Sequence, residues 1–455
     1  MSEEKENIQF QLSDELIEQV ELLVEQQKDK ELQRLFNEFH YADIADILDE
    51  LDLEEAMYVI KLLDSETTSD VLMELDEDNR EKVLKNLSAK EIAEEVEELD
   101  TDDAADIISE LPEDRQQEVI SNIEDEEHQA EIRELLAYDE DTAGGLMAKE
   151  LVKVYETWTV AGCLRRIRAQ AEEVTRVHSI YVVDKQEKLI GRLSLKDLIV
   201  AKNEVKIADI CKTVDSVNVN EEGEEVAKLM QKYDLEAIPV VDDNKTLLGR
   251  ITIDDIVDFI REEAEKDYQL AAGLVQDVDA EDSILDLTKA RLPWLFLGLV
   301  GGIGAFLIME GFQQAFNKYA VLFFFTPLIA AMAGNVGVQS SAIIVQGLAN
   351  DDIKGSINKR LLKEMFLALL NGVILAIFLF AFVWISEGEI NKALAISVSL
   401  IAVIVVAGLI GTFIPLFLDK RGIDPAIATG PFITTSNDIF GILIYFWIAK
   451  LILGI

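Results

Sequence analysis

Cysteine, histidine and positive charge are scarce in this chain of 455 residues, which has two cysteines, three histidines and 41 Lys plus Arg against 87 Asp plus Glu. Cys163 and Cys211 stand apart, which makes a disulfide improbable, and a thiolate metal site would need further ligands. His40, His128 and His178 lack zinc-type spacing and read as surface or packing residues. No Ser/His, Cys/His or metal-hydrolase arrangement appears, so no enzymatic activity is expected. A formal net charge of -46 makes nucleic acid a poor partner. Residues 1–10 are polar and acidic, and no cleavable signal peptide is expected.

What the chain does have is unevenly distributed. From Glu281 onward there are 12 acids and 11 bases; before it there are 75 acids and 30 bases. A strongly acidic soluble half, which needs cations to screen its self-repulsion, therefore precedes a nearly neutral apolar half. Five apolar runs in the second half are long enough to cross a bilayer, at about 292–312, 319–349, 361–385, 393–418 and 428–453. The second exceeds a straight span and contains Gly334, Gly337 and Gly347, so a tilted, bent or partly submerged helix is expected. Lys289, Arg291, Lys354, Lys359, Arg360, Lys363, Lys420 and Arg421 flank one side of these runs. By the positive-inside rule the N-terminal half is cytoplasmic and the C-terminus extracytoplasmic. Within the last run, TTSNDIFGILIYFWIAK, stands the carboxylate of Asp438, which costs several kcal/mol in hydrocarbon and points to an ion or proton as its reason. The spans are read as holding no second carboxylate and no inverted repeat.

Two repeats organise the soluble half. Leucine recurs every twelve positions at Leu51, Leu63, Leu75, Leu87, Leu99 and Leu111, and Ile123 continues the series. Asp52, Asp64, Asp76, Ser88, Asp100 and Pro112 follow, residues suited to ending one short helix and starting the next. Acids such as Glu54, Glu55, Asp78, Glu91, Asp102 and Asp103 then fall in first turns, where the helix dipole favours them. The expected product is a stack of short helices, a superhelical solenoid with an acidic outer face. The second repeat has a period of 58 and aligns SIYVVDKQEKLIGRLSLKDLI, residues 179–199, with AIPVVDDNKTLLGRITIDDIV, residues 237–257. Each copy reads as strand, turn, strand and helix, the helix announced by Ser194-x-x-Asp197 or Thr252-x-x-Asp255. After it, DDIVDFIREEAEKDYQLAAG spaces Asp255, Asp258, Glu262 and Glu263 one or two helical turns apart, where they repel without a cation.

The 58-residue repeat resembles a tandem pair of CBS domains. Such pairs often bind adenine nucleotides, which implies an ATP site involving Asp197, Lys196 and Asp255; helix capping alone also accounts for both motifs. With AGGLM at 143–147, AGNVGVQSS at 333–341, RGIDPA at 421–426 and TTSNDIFGILIYF at 434–446 in order, the whole chain resembles the MgtE family of magnesium channels. The resemblance implies a multidomain membrane protein: an all-α short-helix superhelical solenoid (1–137), tandem α/β CBS domains (138–202 and 203–263), a connecting helix (264–290) and a five-helix transmembrane domain (291–455).

It further implies a homodimer in the cytoplasmic membrane, contacting lipid and taking up Mg2+, with Co2+, Ni2+ or Mn2+ as further candidate cargoes. In the pore, Asp438 would hold hydrated Mg2+ with the help of Thr434, while Gly334 and Asn335 face them. Magnesium keeps its waters, so outer-shell carboxylates and carbonyls suit it. Cytoplasmic Mg2+ would close the channel through Asp102, Asp106, Asp234, Asp255, Asp258, Glu263, Asp267 and Asp424. Two departures from the family pattern are Val338, where a second Asn is common, and Lys266, where a carboxylate is common. A proton- or ion-coupled divalent-cation transporter and a CBS-based membrane sensor without transport stay open as alternatives.

Overall fold

The computed structural model describes residues 12–170, 177, 179–276, 278, 283–350, 353, 356–428 and 430–454. Residues 1–10, His178 and Lys354 lie outside the described residues. The chain divides into two compact units, Met1–Arg261 and Glu262–Ile455.

The first unit begins with ten short helices: α1 (Asp14–Glu25), α2 (Asp29–Phe36), α3 (Tyr41–Glu50), α4 (Leu53–Ile60), α5 (Ser65–Glu74), α6 (Glu77–Asn86), α7 (Ala89–Val96), α8 (Thr101–Ser109), α9 (Glu113–Asn122) and α10 (Glu126–Leu135). All six residues read as starts, from Asp52 to Pro112, stand at N-caps. Asp52, Asp64 and Ser88 bond the first-turn backbone through their side chains, whereas Asp76, Asp100 and Pro112 do not. The twelve-residue leucines are buried, except for Leu63, which is half-buried against the same core. Each fully buried leucine contributes roughly 2 kcal/mol. Alternate helices pack together, α3 with α5, α5 with α7 and α7 with α9, because two twelve-residue steps return the same face to the core. Polar side chains tie the stack across about thirty residues, as in Arg80 Nη2 to Glu110 at 2.6 Å and Ser65 Oγ to Glu95 at 2.8 Å.

The 58-residue repeat follows. The first copy holds β1 (Val152–Tyr155), α11 (Val160–Gln170), β2 (Ile180–Val183), β3 (Leu189–Leu193) and α12 (Leu195–Val200). The second holds β4 (Val217–Asn218), α13 (Gly223–Tyr233), β5 (Ala237–Val241), β6 (Leu247–Thr252) and α14 (Ile253–Ala272). In each sheet the central strand pairs parallel with the first and antiparallel with the third, and the bulge falls at Val182/Val183 and again at Val240/Val241. The segment preceding each copy attaches to the other: Ala148 bridges Arg250 on β6, and Lys212 bridges Arg192 on β3. The two repeated glycines follow from that approach, since a Cβ at Gly191 would lie 2.1 Å from the Lys212 carbonyl and one at Gly249 2.6 Å from the Ala148 carbonyl. Cys163 and Cys211 are free thiols, and burial pushes the Cys163 thiol up to about 11.

The second unit contains five helices long and apolar enough to span a membrane: α15 (Ile284–Gly311), α17 (Val321–Ala349), α18 (Ile357–Glu387), α19 (Ile390–Asp419) and α20 (Gly430–Leu453). A short α16 (Gln313–Lys318) joins the first two. α17 is continuous through Gly334, Gly337 and Gly347. α19 is central and packs on α17, α18 and α20. Small residues on its buried face, including Ala393, Ala395, Ala407, Gly408 and Gly411, permit close approach where no water-driven burial operates. A Cβ at Gly411 would meet the Gly337 carbonyl at 2.3 Å, so α17 and α19 cross backbone to backbone there.

Candidate functional site

In the soluble unit the carboxylates converge at the start of α8. Carboxylate oxygens of Asp100, Asp102 and Glu150 lie within 4.8 Å of one another. Asp100 is the N-cap residue of α8 but makes no side-chain cap; Glu150, from the segment ahead of the first repeat copy, takes that role. Its two oxygens accept from Thr101 N at 3.1 Å and Thr101 Oγ1 at 2.9 Å, and Thr101 Oγ1 accepts from Lys149 N at 2.9 Å. Asp255 joins from the first turn of α14, held by Thr252 N at 2.9 Å and Thr252 Oγ1 at 2.5 Å. Arg250 on β6 brings a cation to the cluster, with Nη2 3.5 Å from Asp100.

The charges are uncompensated by that one contact. Burial, then Glu150, raises Asp100 to about 6. Burial, then Asp255 and Asp106, raises Asp103 to about 8. Asp102, 7% exposed, is pushed well up by burial and next by Asp103 and Asp255. Asp255 is also raised, burial outweighing its bonds from Thr252. A buried carboxylate set of this kind either holds protons or holds a cation. All-oxygen donors of high negative charge suit a hard divalent ion such as Mg2+.

The other acids named from sequence scatter. Asp258 is raised by burial and then by Asp255, and its charge, after burial, also raises Glu74 at the end of α5. Asp106 lies one turn beyond Asp102 and acts on Asp103. Asp234 ends α13 in the left-handed conformation, with φ of 50°. Glu263 is paired with Lys266 at 2.9 Å. Asp267 lies farther along α14, and Asp424 accepts from Ala426 N at 2.7 Å in the turn before α20.

In the membrane unit, Thr434 and Asp438 share one face of α20. A Cβ at Gly334 of α17 would be 3.6 Å from the Thr434 methyl, so these two predicted positions are neighbours. The Thr434 hydroxyl bonds Gly430 O and Pro431 O of its own helix. Asp438 is half-buried. Asn335, Gln339 and Gln346 are exposed along one side of α17. Polar side chains on the outside of an apolar helix need a partner surface or water, because lipid satisfies neither. Gly337 serves packing: a Cβ there would overlap the amide of Asn437. Asn437 is itself 1% exposed and neither of its amide atoms is bonded within the chain.

A second carboxylate does occur inside the spans, contrary to the sequence reading. Glu364 on α18 accepts from Ser340 Oγ of α17 at 2.6 Å, beside Gly408. The adjoining Lys359, Arg360 and Lys363 make it read as part of the charged flank, although α18 begins at Ile357.

Family models match over most of the chain: "MgtE intracellular N domain" at 39–141, "CBS domain" at 143–204 and 207–262, and "Divalent cation transporter" at 326–448. A magnesium transporter MgtE of Enterococcus faecalis is 36% identical over 70% of this chain and 70% of its own length. The one from Thermus thermophilus is 37% identical over 70% and 72%. The chain belongs to the MgtE family of magnesium transporters. Among solved structures, the cytosolic domain of the Mg2+ channel MgtE in complex with ATP is 35% identical with a TM-score of 0.50, covering 53% of this chain and 99% of that one. The soluble part of a magnesium transporter is 31% identical at the same TM-score, covering 55% and 99%. The chain is thus a multi-pass membrane protein of this transporter family, with CBS domains on its soluble side.

Within an MgtE chain the CBS aspartates have different surroundings. Asp197 is bonded by Ser194 and by Lys212 Nζ at 2.8 and 3.0 Å, and the lysine bond first, then Ser194, holds its carboxyl down at about 2. Lys196 is exposed next to it. Asp255 instead faces the α8 cluster. Sequence reasoning missed Asp100, Asp103 and Glu150 as partners of Asp102. Asp100 and Asp103 read fully as cap and dipole residues, and Glu150, three positions beyond the AGGLM motif, had no assigned role.

Proposed function

We propose that the protein is a homodimeric magnesium channel that takes up Mg2+ across the cytoplasmic membrane and closes when cytoplasmic Mg2+ binds its acidic soluble half. The observation that carries this reading is the convergence of Asp100, Asp102 and Glu150 around the buried Asp102, with the half-buried Asp103 and Asp255 acting on it, supplied by three separate parts of the soluble unit. A divalent ion there stabilises the arrangement that unites them, and its loss leaves like charges to drive them apart; the ion shifts the equilibrium by its differential affinity. Asp106, Asp234, Asp258, Glu263, Asp267 and Asp424 extend the regulatory acids. In the pore, Asp438 and Thr434 with Gly334 and Asn335 opposite meet hydrated Mg2+, and the outward polar side of α17 supports a second copy across the axis. Asn437, buried and unbonded beside Asp438, belongs to the same wall.

The CBS pair is proposed to take ATP on the Asp197 side, where Lys196 and Lys212 offer charge to phosphate. Support comes from the ATP complex of the related cytosolic domain. A coupled transporter is the second reading, favoured by Glu364, a carboxylate able to exchange a proton within α18.

Magnesium flux into proteoliposomes separates these. For the channel, flux falls at least tenfold in Asp438→Ala and shuts off as Mg2+ on the soluble side rises into the millimolar range. Flux unchanged by Asp438→Ala sinks the pore assignment, and flux that follows a proton gradient and vanishes in Glu364→Gln establishes the transporter.

A further inference from the structure

We propose that the pocket at the start of α18, together with the apolar groove beside it, binds the head group and chains of an anionic phospholipid. The pocket encloses about 270 Å3 where the ends of α17, α18 and α19 meet, and its polar lining is Ser356, Lys359, Arg360, Lys363, Asp419 and Lys420. Among the described residues its lining thus holds four cations and one acid. Among the described residues none of these four basic side chains forms an ion pair.

The placement runs against helix electrostatics. The first turn of α18 contains no acid, and Ser356 at its N-cap makes no side-chain cap bond. Lys359, Arg360 and Lys363 thus crowd the positive end of a helix dipole, where an anion is favoured and cations are not. A phosphate diester in the pocket meets the positive end of the helix and the four side chains together.

The groove supplies the other half of a lipid site. It encloses about 440 Å3 and is lined by Leu361, Leu409, Ile410, Phe413 and Phe440, among others, with Ser436 at its wall. Arg360 of the pocket adjoins Leu361 of the groove on α18. On α19, Phe413 of the groove is one turn from Leu416 of the pocket. A basic pocket at the end of the spans, continued by an apolar groove between them, matches a phosphate head followed by acyl chains. Phe413 and Phe440 are 46% and 48% exposed, so the groove opens outward from this protomer.

The test uses the full chain reconstituted in nanodiscs with equal phosphatidylglycerol and phosphatidylcholine, then transferred to detergent and weighed by native mass spectrometry. The wild type is expected to retain phosphatidylglycerol over phosphatidylcholine by at least about fivefold. Lys359→Gln/Arg360→Gln/Lys363→Gln should reduce that preference to near parity, while Lys318→Gln/Lys450→Gln, outside the pocket, should keep it. Ile410→Trp, which fills the groove, should lower lipid retention with the charges intact. Parity in the wild type overturns the proposal without any variant, as does retention unchanged in the triple variant. Equal loss in both charge variants overturns it as non-specific attraction. Displacement of the lipid by millimolar inorganic phosphate, with Ile410→Trp silent, reassigns the pocket to a small anion and overturns the lipid reading.

Discussion

Of the 87 acidic side chains, 75 precede Glu281 and 12 lie from Glu281 onward, and the two regions use them differently. In the soluble unit carboxylates act in a group: Asp102 is raised by burial and then by Asp103, Asp103 by burial and then by Asp255, and deleting one leaves several. In the membrane unit they act singly, Asp438 on α20 and Glu364 on α18, each positioned by small residues that bring helices close. The comparison teaches that charge density matters where water and cations can equilibrate, and that backbone clearance matters where they cannot. A soluble acid can be traded against its neighbours, whereas Gly337 and Gly411 have no substitute.

The largest effect expected from breaking this contrast is at Gly337. Gly337→Val drives a side chain into Asn437, and the detergent-solubilised protein should lose its cooperative thermal transition or drop by more than about 10 °C. A retained transition temperature would mean that the α17, α19 and α20 crossing is looser than described.

Next comes the cluster itself. In the soluble region, residues 1–280, Asp102→Asn/Asp103→Asn should raise the melting temperature at pH 8 without magnesium and abolish the rise that millimolar Mg2+ gives the wild type. Calorimetry with and without Mg2+ reads both, and an undiminished magnesium shift would place the ion elsewhere.

The pH dependence sharpens the same point. Asp100 and Asp103 have folded values of about 6 and about 8, above the ordinary carboxylate range. Their folded forms bind more protons than the unfolded chain, so the associated stability is present at low pH and is lost as pH rises through those values. Without divalent ions the soluble region should melt at least about 5 °C lower at pH 9 than at pH 5, and Mg2+ should narrow that gap by acting mainly at the alkaline end. A flat profile would show that these carboxylates are solvated.

A smaller change is expected from Glu150→Gln, which weakens the bonds to Thr101 and removes one charge. The cost of the bonds, about 1 kcal/mol, is offset by relief of repulsion, so stability without Mg2+ should change little while magnesium affinity falls several-fold. Isothermal titration distinguishes this from a purely structural role, in which stability alone would fall. The slightest effect belongs to Lys212→Ala, which should let the Asp197 carboxyl rise from about 2 toward its ordinary value by carbon-detected NMR without moving the magnesium response.

Much of the architecture could be read from the string because it is periodic. The twelve-residue leucines and the residues after them mark cores and caps, and the 58-residue offset carries even the position of the bulge. What was hidden is contact between distant segments. Glu150 is 49 residues from Thr101 yet caps its helix, and nothing in local spacing announces it. Strand β4, two residues long, gives no alternation to detect. Glu364 was obscured by the lysines around it, and Asn437 by the louder charge of Asp438.

The exchanged segments of the CBS pair carry one more consequence. Because Ala148 completes the edge of one sheet and Lys212 the edge of the other, each copy is clasped by the chain that introduces its twin. Neither can turn or unfold without dragging its neighbour, so the pair works as a single stiff link. A force arriving at either copy is shared with the other through these two bridges.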